Sequence, residues 1–351
     1  MRFIIVWIVN LILDIGIMES FLIGFVLVNI VAFALYVIDK RRAEKNKWRI
    51  SENVLIFFTL ALGGIGALLG MCLVKHKTRK MKFRIAVAIG LVVALIPVIH
   101  IGHSSTLGRI IHYVEMEFHS ENWPSELDGY RIAFMSDMHT ITDEAMRRVA
   151  AELNERSIDI LLLGGDFSMW YAHYQGTVRE IAQINTTDGI FGVEGNHDNY
   201  RRLFAVKEQH GITPLDNSGV HIRDGFYLAG VRDLWNRDPN IREAIAGADT
   251  GDFVLLVSHN PDVTMRQPTA GIDLILSGHT HGGQLTFFGY PMYLLRGNIT
   301  RYGTRFSHGF AYSADDVPVF ISRGVGSYYT VPRIFARFEV VIFTMYNLGE
   351  E

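Results

Sequence analysis

Five short blocks of the chain carry side chains able to hold a metal ion. They are Asp137-Met138-His139, Gly165-Asp166, Gly195-Asn196-His197-Asp198, Ser258-His259-Asn260-Pro261 and Gly278-His279-Thr280-His281-Gly282-Gly283. Singly, each is ordinary: Gly-Asp makes a turn, Asn-His-Asp suits a turn or cap, and a lone His on an apolar strand is usually a hydrogen-bonded structural residue. Together they supply a candidate ligand set of two carboxylates (Asp137, Asp166), an amide (Asn196) and four to five imidazoles, with no thiolate. Such a mixed donor set suits Mn²⁺, Fe, Zn²⁺ or Ni²⁺, with Mn²⁺ favoured. The lone cysteine, Cys72, falls in an apolar segment, so thiolate zinc and any intrachain disulfide are excluded. Seven residues making eight ligand bonds, one carboxylate being shared, would hold two ions about 3.5 to 4 Å apart. With only two anionic ligands, two divalent ions leave a positive surplus, which favours an anionic substrate.

Each block follows a short β-rich run. Strands are predicted at 130–136, 158–163, 190–194, 226–231, 253–258 and 273–277, with two more at 318–322 and 338–344. An amphipathic helix is predicted over 143–155, with Ala145, Met146, Val149, Ala150 and Leu153 on one face and Thr142 as its N-cap. The fold class is therefore α/β and layered. Ligands of open α/β sheets gather outside the carboxyl ends of strands, so Asp137 and His281 can converge from distant parts of the chain.

The ordered set D-x-H, GD, GNH[D/E], a later His and G-H-x-H resembles the calcineurin-like metallophosphoesterase superfamily over residues 128–346. The GHTHGGQ block and Ser322-Arg323-Gly324-Val325-Gly326 resemble its membrane-associated bacterial branch. The resemblance implies a β-sandwich flanked by helices and hydrolysis of a phosphoester or pyrophosphate by attack of a metal-bridging hydroxide. By position, it implies a first metal held by Asp137, His139, Asp166 and His281, and a second by Asp166, Asn196, His259 and His279. His197 would be the general acid and Asp198 its orienting partner. Some relatives in that branch act on phospholipid or nucleotide-lipid substrates. Arg337-Phe338-Glu339 departs from the branch, where a Pro commonly precedes the Glu, and this weakens any transfer of substrate identity. Arg323 is a candidate bidentate donor to substrate phosphate, its other reading being a loop-end salt bridge. Aromatic residues crowd the loops between blocks: Trp170, Tyr171, Tyr174, Trp235, Phe287, Phe288, Tyr290, Tyr293, Tyr328 and Tyr329. Most read as packing, but aromatic walls near a bilayer would also suit an amphiphilic phosphoester. The alternative function is a non-catalytic metal-binding sensor or interaction module on the same fold. A third reading makes the N-terminal segments a transporter or lipid-binding unit regulated by the hydrolase.

The chain has 351 residues, 33 Lys+Arg against 36 Asp+Glu, and 49% hydrophobic residues, which excludes a disordered or fibrous protein. The charge is unevenly spread: 13 Lys/Arg and 5 Asp/Glu precede residue 103, and 20 and 31 follow. The acidic C-terminal part lacks the basic footprint of a nucleic-acid partner. Residues 21–38, 53–74 and 85–102 are apolar runs without Lys, Arg, Asp or Glu, each approaching or exceeding a hydrocarbon core of about 30 Å. Residues 3–18 are a possible fourth span, unless translation begins at Met18. The expected organisation is thus a transmembrane module of three or four apolar segments at 1–102, a juxtamembrane linker at 103–127 and the phosphoesterase domain at 128–346.

Two basic loops, 39–52 and 75–84, both favour the cytoplasm. A single span at 53–74 would put them on opposite faces, so either one loop violates the rule or the Gly-rich stretch lets this segment re-enter. Lys/Arg precede the last run, while Glu115, Glu117, Glu121, Glu126 and Asp128 follow it, which points to a multi-pass protein with an extracytoplasmic large domain. Tyr36-x-x-Asp39-Lys40-x-x-Ala43, Trp48-Arg49-Ile50-x-Glu52, Gly63-Gly64-x-Gly66-Ala67, Gly70-Met71 and His76-Lys77-Thr78-x-Lys80-x-x-Phe83 resemble a small bacterial membrane domain of unknown function, over about 21–102. That resemblance brings no activity, and the loop charges also read as interface anchors that attract anionic headgroups.

Overall fold

The structure, a computed structural model, describes residues 17–105, 110–168, 171–198, 205, 209–235, 237–284, 286, 290–291, 299–328, 333 and 336–349. The possible span at 3–18 lies outside them except for its last two positions. The chain divides after Gly102 into two units.

Among the described residues, the N-terminal unit has four helices, the last running a few residues past Gly102: α1 (Ile17–Glu44), α2 (Glu52–Leu60), α3 (Gly64–Leu73) and α4 (Met81–Ser105). Among the described residues, Ile23–Glu44 is the one stretch long and apolar enough to cross a membrane. The run at 53–74 is not one helix. It breaks at Ala61, Leu62 and Gly63, with Leu62 at φ +68°, giving two pieces of about 14 and 15 Å at 1.5 Å per residue.

Contacts along α1 fix the course of this pair. Near its middle, Asn29 donates to the Leu62 carbonyl (3.0 Å) and accepts from the Gly66 N–H (2.9 Å), satisfying two backbone groups freed by the break. One helical stage on, Tyr36 hydrogen-bonds Thr59 of α2 (3.0 Å) and lies against Gly70 of α3. At the far end, Asp39 meets Arg49 (2.8 Å), the Ile50 N–H (2.9 Å) and His76 (2.7 Å). The chain therefore rises along α2, turns, and descends along α3 to the end it left. Both basic loops lie at the Asp39 end. Close packing depends on glycine: a Cβ on Gly66 would lie 1.9 Å from the Asn29 carbonyl oxygen.

The C-terminal unit contains two six-stranded sheets. The first runs in the order β1 (Ile111–Ser120), β12 (Phe338–Asn347), β2 (Tyr130–Met135), β3 (Ile160–Leu163), β4 (Ile190–Gly192) and β5 (Ile212–Pro214). The second runs β10 (Gly309–Tyr312), β11 (Pro318–Ile321), β9 (Leu274–Ser277), β8 (Phe253–Ser258), β7 (Phe226–Gly230) and β6 (Ser218–Arg223). Strands β2 to β5 are parallel, as are β7, β8, β9 and β11.

Ile132, Phe134, Ile160 and Leu162 of the first sheet share a core with Phe226, Leu228, Leu255 and Leu276 of the second. The opposite face of the first sheet, including Ala133, Met135, Leu161 and Leu163, is covered by α5 (Asp143–Glu155) and α6 (Tyr171–Ile181). Ala229, Leu256 and Ile275 form the outer core of the second sheet with Ile241 and Ala244 of the short α7 (Ile241–Ala244). Both faces of the central strands are buried, which is why they read as continuous apolar runs rather than alternating ones. The architecture is the helix-flanked sandwich expected from the sequence. Helix α5 spans the predicted residues, and Thr142 Oγ1 caps it by accepting from the Ala145 N–H (3.2 Å).

The expected linker requires correction. Residues 111–120 form β1, paired in parallel with β12 over its whole length. Trp123 is fully buried among Tyr130, Phe226 and Phe253, and its indole N–H donates to the Leu127 carbonyl (3.2 Å). This segment alternates half-buried and exposed side chains at a sheet edge, so its polar residues mark a solvated face.

Candidate metal centre

Asp137, Asp166 and Asn196 lie in the loops just beyond the ends of parallel strands β2, β3 and β4, and His259 and His279 just beyond β8 and β9. The loops beyond them are tied by backbone hydrogen bonds: the Asp137 N–H to the Gly165 carbonyl (2.9 Å), the His139 N–H to the Asp166 carbonyl (3.1 Å) and the Gly278 N–H to the His259 carbonyl (3.0 Å). Asp137, His139, Asp166, His279 and His281 all have positive φ, at 53°, 34°, 56°, 71° and 54°. Non-glycine residues rarely sit there, at a cost of about 1 to 3 kcal/mol each, and such strain gathers at functional sites. Gly195 is required by close approach, since a Cβ there would lie 2.2 Å from Asp166 Oδ1.

All seven predicted ligands are brought together. Asp137, His139 and His281 form one group able to hold an ion, and Asp137, Asp166 and His259 another. Asp166 Oδ2 lies 3.3 Å from Nε2 of both His139 and His259. His281 Nε2 is 3.2 Å from Asp137 Oδ1 and 3.1 Å from His139 Nε2. His259 Nε2 is 3.1 Å from Asn196 Oδ1 and 3.2 Å from His279 Nδ1.

The ring tautomers fit metal ligation. His259 donates from Nδ1 to the Gly164 carbonyl (2.7 Å), and His279 from Nε2 to the Ile299 carbonyl (3.0 Å). Their other nitrogens are thereby aimed inward, as outer partners of metal-bound imidazoles arrange. Burial lowers His279 to about 3 and, aided by the cationic groups around it against the pull of Asp137, lowers His281 to about 4. Both rings are neutral donors at pH 7. Against the penalty of burial, His281 and His259 hold Asp137 below the usual carboxylate range, and His259 and His139 do the same for Asp166. Two buried carboxylates and inward-facing imidazole nitrogens form a donor set that suits divalent cations.

His197 is half-buried, its ring 5.4 Å from that of His139 and 5.2 Å from that of Tyr328. Burial lowers its pKa. Its backbone N–H donates to Asp166 Oδ1 (2.8 Å). Asp198 does not take the orienting role expected of it. Its two oxygens accept from the N–H groups of Asp166 (2.6 Å), Phe167 (2.9 Å) and Gly195 (2.8 Å), so it staples the second block to the third. Burial and the neighbouring Asp166 charge push it up to about 7.

Arg323 takes its salt-bridge reading: its guanidinium donates to the buried Glu339 (2.6 Å), as does its backbone N–H (2.8 Å). A buried arginine that sequence reasoning missed, Arg333, stands behind the site. It donates to the carbonyls of His281, Arg323 and Gly326, lies 3.1 Å from His281 Nδ1 and packs on the ring of Phe338. Nothing in the local sequence around Arg333 marks this role.

Of the loop aromatics, Trp235 reaches the site, its ring 4.6 Å from that of His279, as does Tyr328. Tyr174 packs in the core on Phe167, and Tyr290 is exposed. Trp170, Phe287, Phe288, Tyr293, Tyr329 and the Tyr171 side chain lie outside the described residues.

A family model described as calcineurin-like phosphoesterase matches residues 130–283, and a second, described as a protein of unknown function, matches residues 29–83. The chain is 26% identical over 316 residues to a zebrafish (Danio rerio) protein named transmembrane protein with metallophosphoesterase domain, covering 82% of this chain and 69% of the relative. It is 28% identical over 257 residues to an uncharacterized metallophosphoesterase, YkuE, of Bacillus subtilis, covering 68% and 86%. A third relative, an uncharacterized metallophosphoesterase of Aquifex aeolicus, is 29% identical over 234 residues, covering 62% and 86%.

Proposed function

We propose that this chain, a metal-dependent phosphoester hydrolase by its calcineurin-like phosphoesterase domain at residues 130–283, uses a centre of two divalent ions to hydrolyse a phosphoester or pyrophosphate of a lipid-linked substrate. The observation that carries the dinuclear reading is Asp166, which lies equally close to His139 on one side and His259 on the other. Asp137, His139, Asp166 and His281 would hold one ion, and Asp166, Asn196, His259 and His279 the second. Bound there, the ions, with Mn²⁺ favoured, supply Lewis acidity toward water and the phosphoryl oxygens.

The chain's own groups do the rest. His197 stands at the edge of the ligand cluster and donates the proton to the leaving oxygen. Its lowered pKa in the free site is reversed by an adjoining phosphoryl anion, because a nearby negative charge favours imidazolium. Asp198 and Arg333 hold the loops that carry the ligands. Half-exposed Trp235, with Tyr328, supplies an aromatic wall for the apolar part of an amphiphilic substrate.

Membrane association is supported by the apolar α1 and by a relative named as a transmembrane protein. The finer reading is multi-pass, with α1 and α4 spanning, α2 and α3 re-entering, and the catalytic domain extracytoplasmic.

The test is hydrolysis of an aryl phosphomonoester, an aryl phosphodiester and a lipid phosphodiester by the full-length protein in micelles with Mn²⁺ or Zn²⁺. Turnover is expected to need metal. Asp166→Asn should lose both turnover and one equivalent of metal. His197→Ala should keep its metal while kcat falls about 10²- to 10⁴-fold, the range typical of general acid catalysis. Two metals bound without turnover of any ester would point to a non-catalytic module, and equal turnover of soluble and lipid esters would remove the lipid-linked assignment.

A further inference from the structure

The N-terminal unit holds a surplus of charge that it does not neutralise. Between residues 39 and 84 there are 12 Lys/Arg against Asp39, Glu44 and Glu52. All three acids are already paired: Asp39 with Arg49 and His76, Glu44 with Lys40, and Glu52 with Lys77, Lys80 and Lys82. Among the described residues, Arg41, Arg42, Lys45 and Lys47 have no acidic partner. These four cations nevertheless converge, lining one open cavity of about 480 Å³ together with Ile38 and Trp48.

The negative end of the α1 dipole accounts for basic side chains near Glu44, but not for the rest of the wall. Trp48 is 94% exposed and Ile38 42%, so the cavity presents an indole and an aliphatic side chain beside four cations. It lies at the end of an apolar helix, where a bilayer places its phosphates and where tryptophan is enriched. The backbone that carries these cations is tied together: the N–H groups of Lys45 and Lys47 donate to the carbonyls of Arg41 and Arg42 (3.2 and 2.9 Å).

We propose that this cavity binds the phosphate of an anionic phospholipid headgroup, with Arg41, Arg42, Lys45 and Lys47 as donors and Trp48 and Ile38 against the glycerol and upper acyl region. Charge explains the phosphate. The apolar flank selects a lipid over a free phosphate, which would leave Trp48 and Ile38 in water. The site shares no residue with the phosphoesterase centre and needs no catalysis.

The test reconstitutes the full-length protein in vesicles of phosphatidylcholine with a minority of phosphatidylglycerol, extracts it in mild detergent and counts retained lipids by native mass spectrometry. Phosphatidylglycerol should be enriched over its share of the vesicle. Enrichment should vanish in Arg41→Gln/Arg42→Gln/Lys45→Gln/Lys47→Gln and survive in Lys80→Gln/Lys82→Gln, whose cations Glu52 already holds. Single Arg42→Gln and Lys47→Gln variants should each weaken retention about fivefold, the effect of one basic residue at an anionic surface, and they keep the test open should the quadruple variant misfold. Equal retention of both lipids, or unchanged enrichment without the four cations, would overturn the proposal. Displacement of phosphatidylglycerol by millimolar inorganic phosphate would assign the cavity to a soluble phosphate compound instead.

Discussion

Asp166 and Asp137 set the protonation of the centre as well as its charge. In the metal-free site, His259 loses stability as a cation through burial but gains more from these two carboxylates, and its pKa stands well above the ordinary imidazole range. An ion arriving at Nε2 must displace that proton. Acid therefore strengthens the competitor, and apparent affinity at this position should rise with pH by about tenfold per unit for each proton released, levelling off above the raised pKa. Competition with a chromophoric chelator from mildly acidic to mildly alkaline pH checks this, and affinity that stays flat over that range would refute it. The candidate ligands were legible in sequence because each follows closely on the end of a readable strand. Partners across the loops were not: the neighbour of His197 in the chain, Asp198, turns to three backbone N–H groups, and Arg333 acts from a segment without local pattern. Hydrogen-bond direction depends on the fold around a loop, which periodicity does not encode.

Elements were legible in proportion to how fully they are buried. The central strands, covered on both faces, announce themselves as apolar runs, and α5 by its one-sided stripe and cap. Strand β1, at a sheet edge with exposed Glu115 and Glu117 among half-buried Tyr113 and Met116, resembled a polar linker until its long pairing with β12 was apparent. The run at 53–74 misled in the opposite sense, because apolar length alone does not distinguish one span from two half-length helices. Its break is held by Asn29, and the contact is made possible by Gly66. Gly66→Ala should therefore push α3 from α1 and destabilise the N-terminal unit by about 1 to 3 kcal/mol, as overpacking does. The measurement is the thermal midpoint of the full-length protein in detergent, read beside turnover of a soluble ester. An unchanged midpoint would mean that the hairpin is not packed this closely, and lost turnover of the soluble ester would mean that the two units are coupled.

At the scale of the whole molecule, the hairpin reconciles the charge pattern with the membrane. Read as three continuous spans, the chain would put one strongly basic loop on the wrong face. Instead Asp39 gathers Arg49 and Ile50 from the first loop and His76 from the second, so both basic loops belong to one end of the N-terminal unit. On the proposed multi-pass reading, with that end cytoplasmic as its lysines and arginines favour, α1 would enter from the opposite face and α4 would return to it, carrying residues 103 onward out of the cytoplasm. Lone Cys72 makes the test clean. In a Cys72→Ser background, Lys47→Cys and Arg79→Cys report the two loops and Glu126→Cys reports the C-terminal unit. An impermeant maleimide applied to intact cells should label only the Glu126→Cys protein, and permeabilised cells should add the other two. Labelling of Lys47→Cys and Arg79→Cys from opposite faces would restore a single crossing between them. Labelling of both loops from outside would keep the hairpin but invert the protein, placing its phosphoesterase centre in the cytoplasm, where a different set of phosphoesters is available.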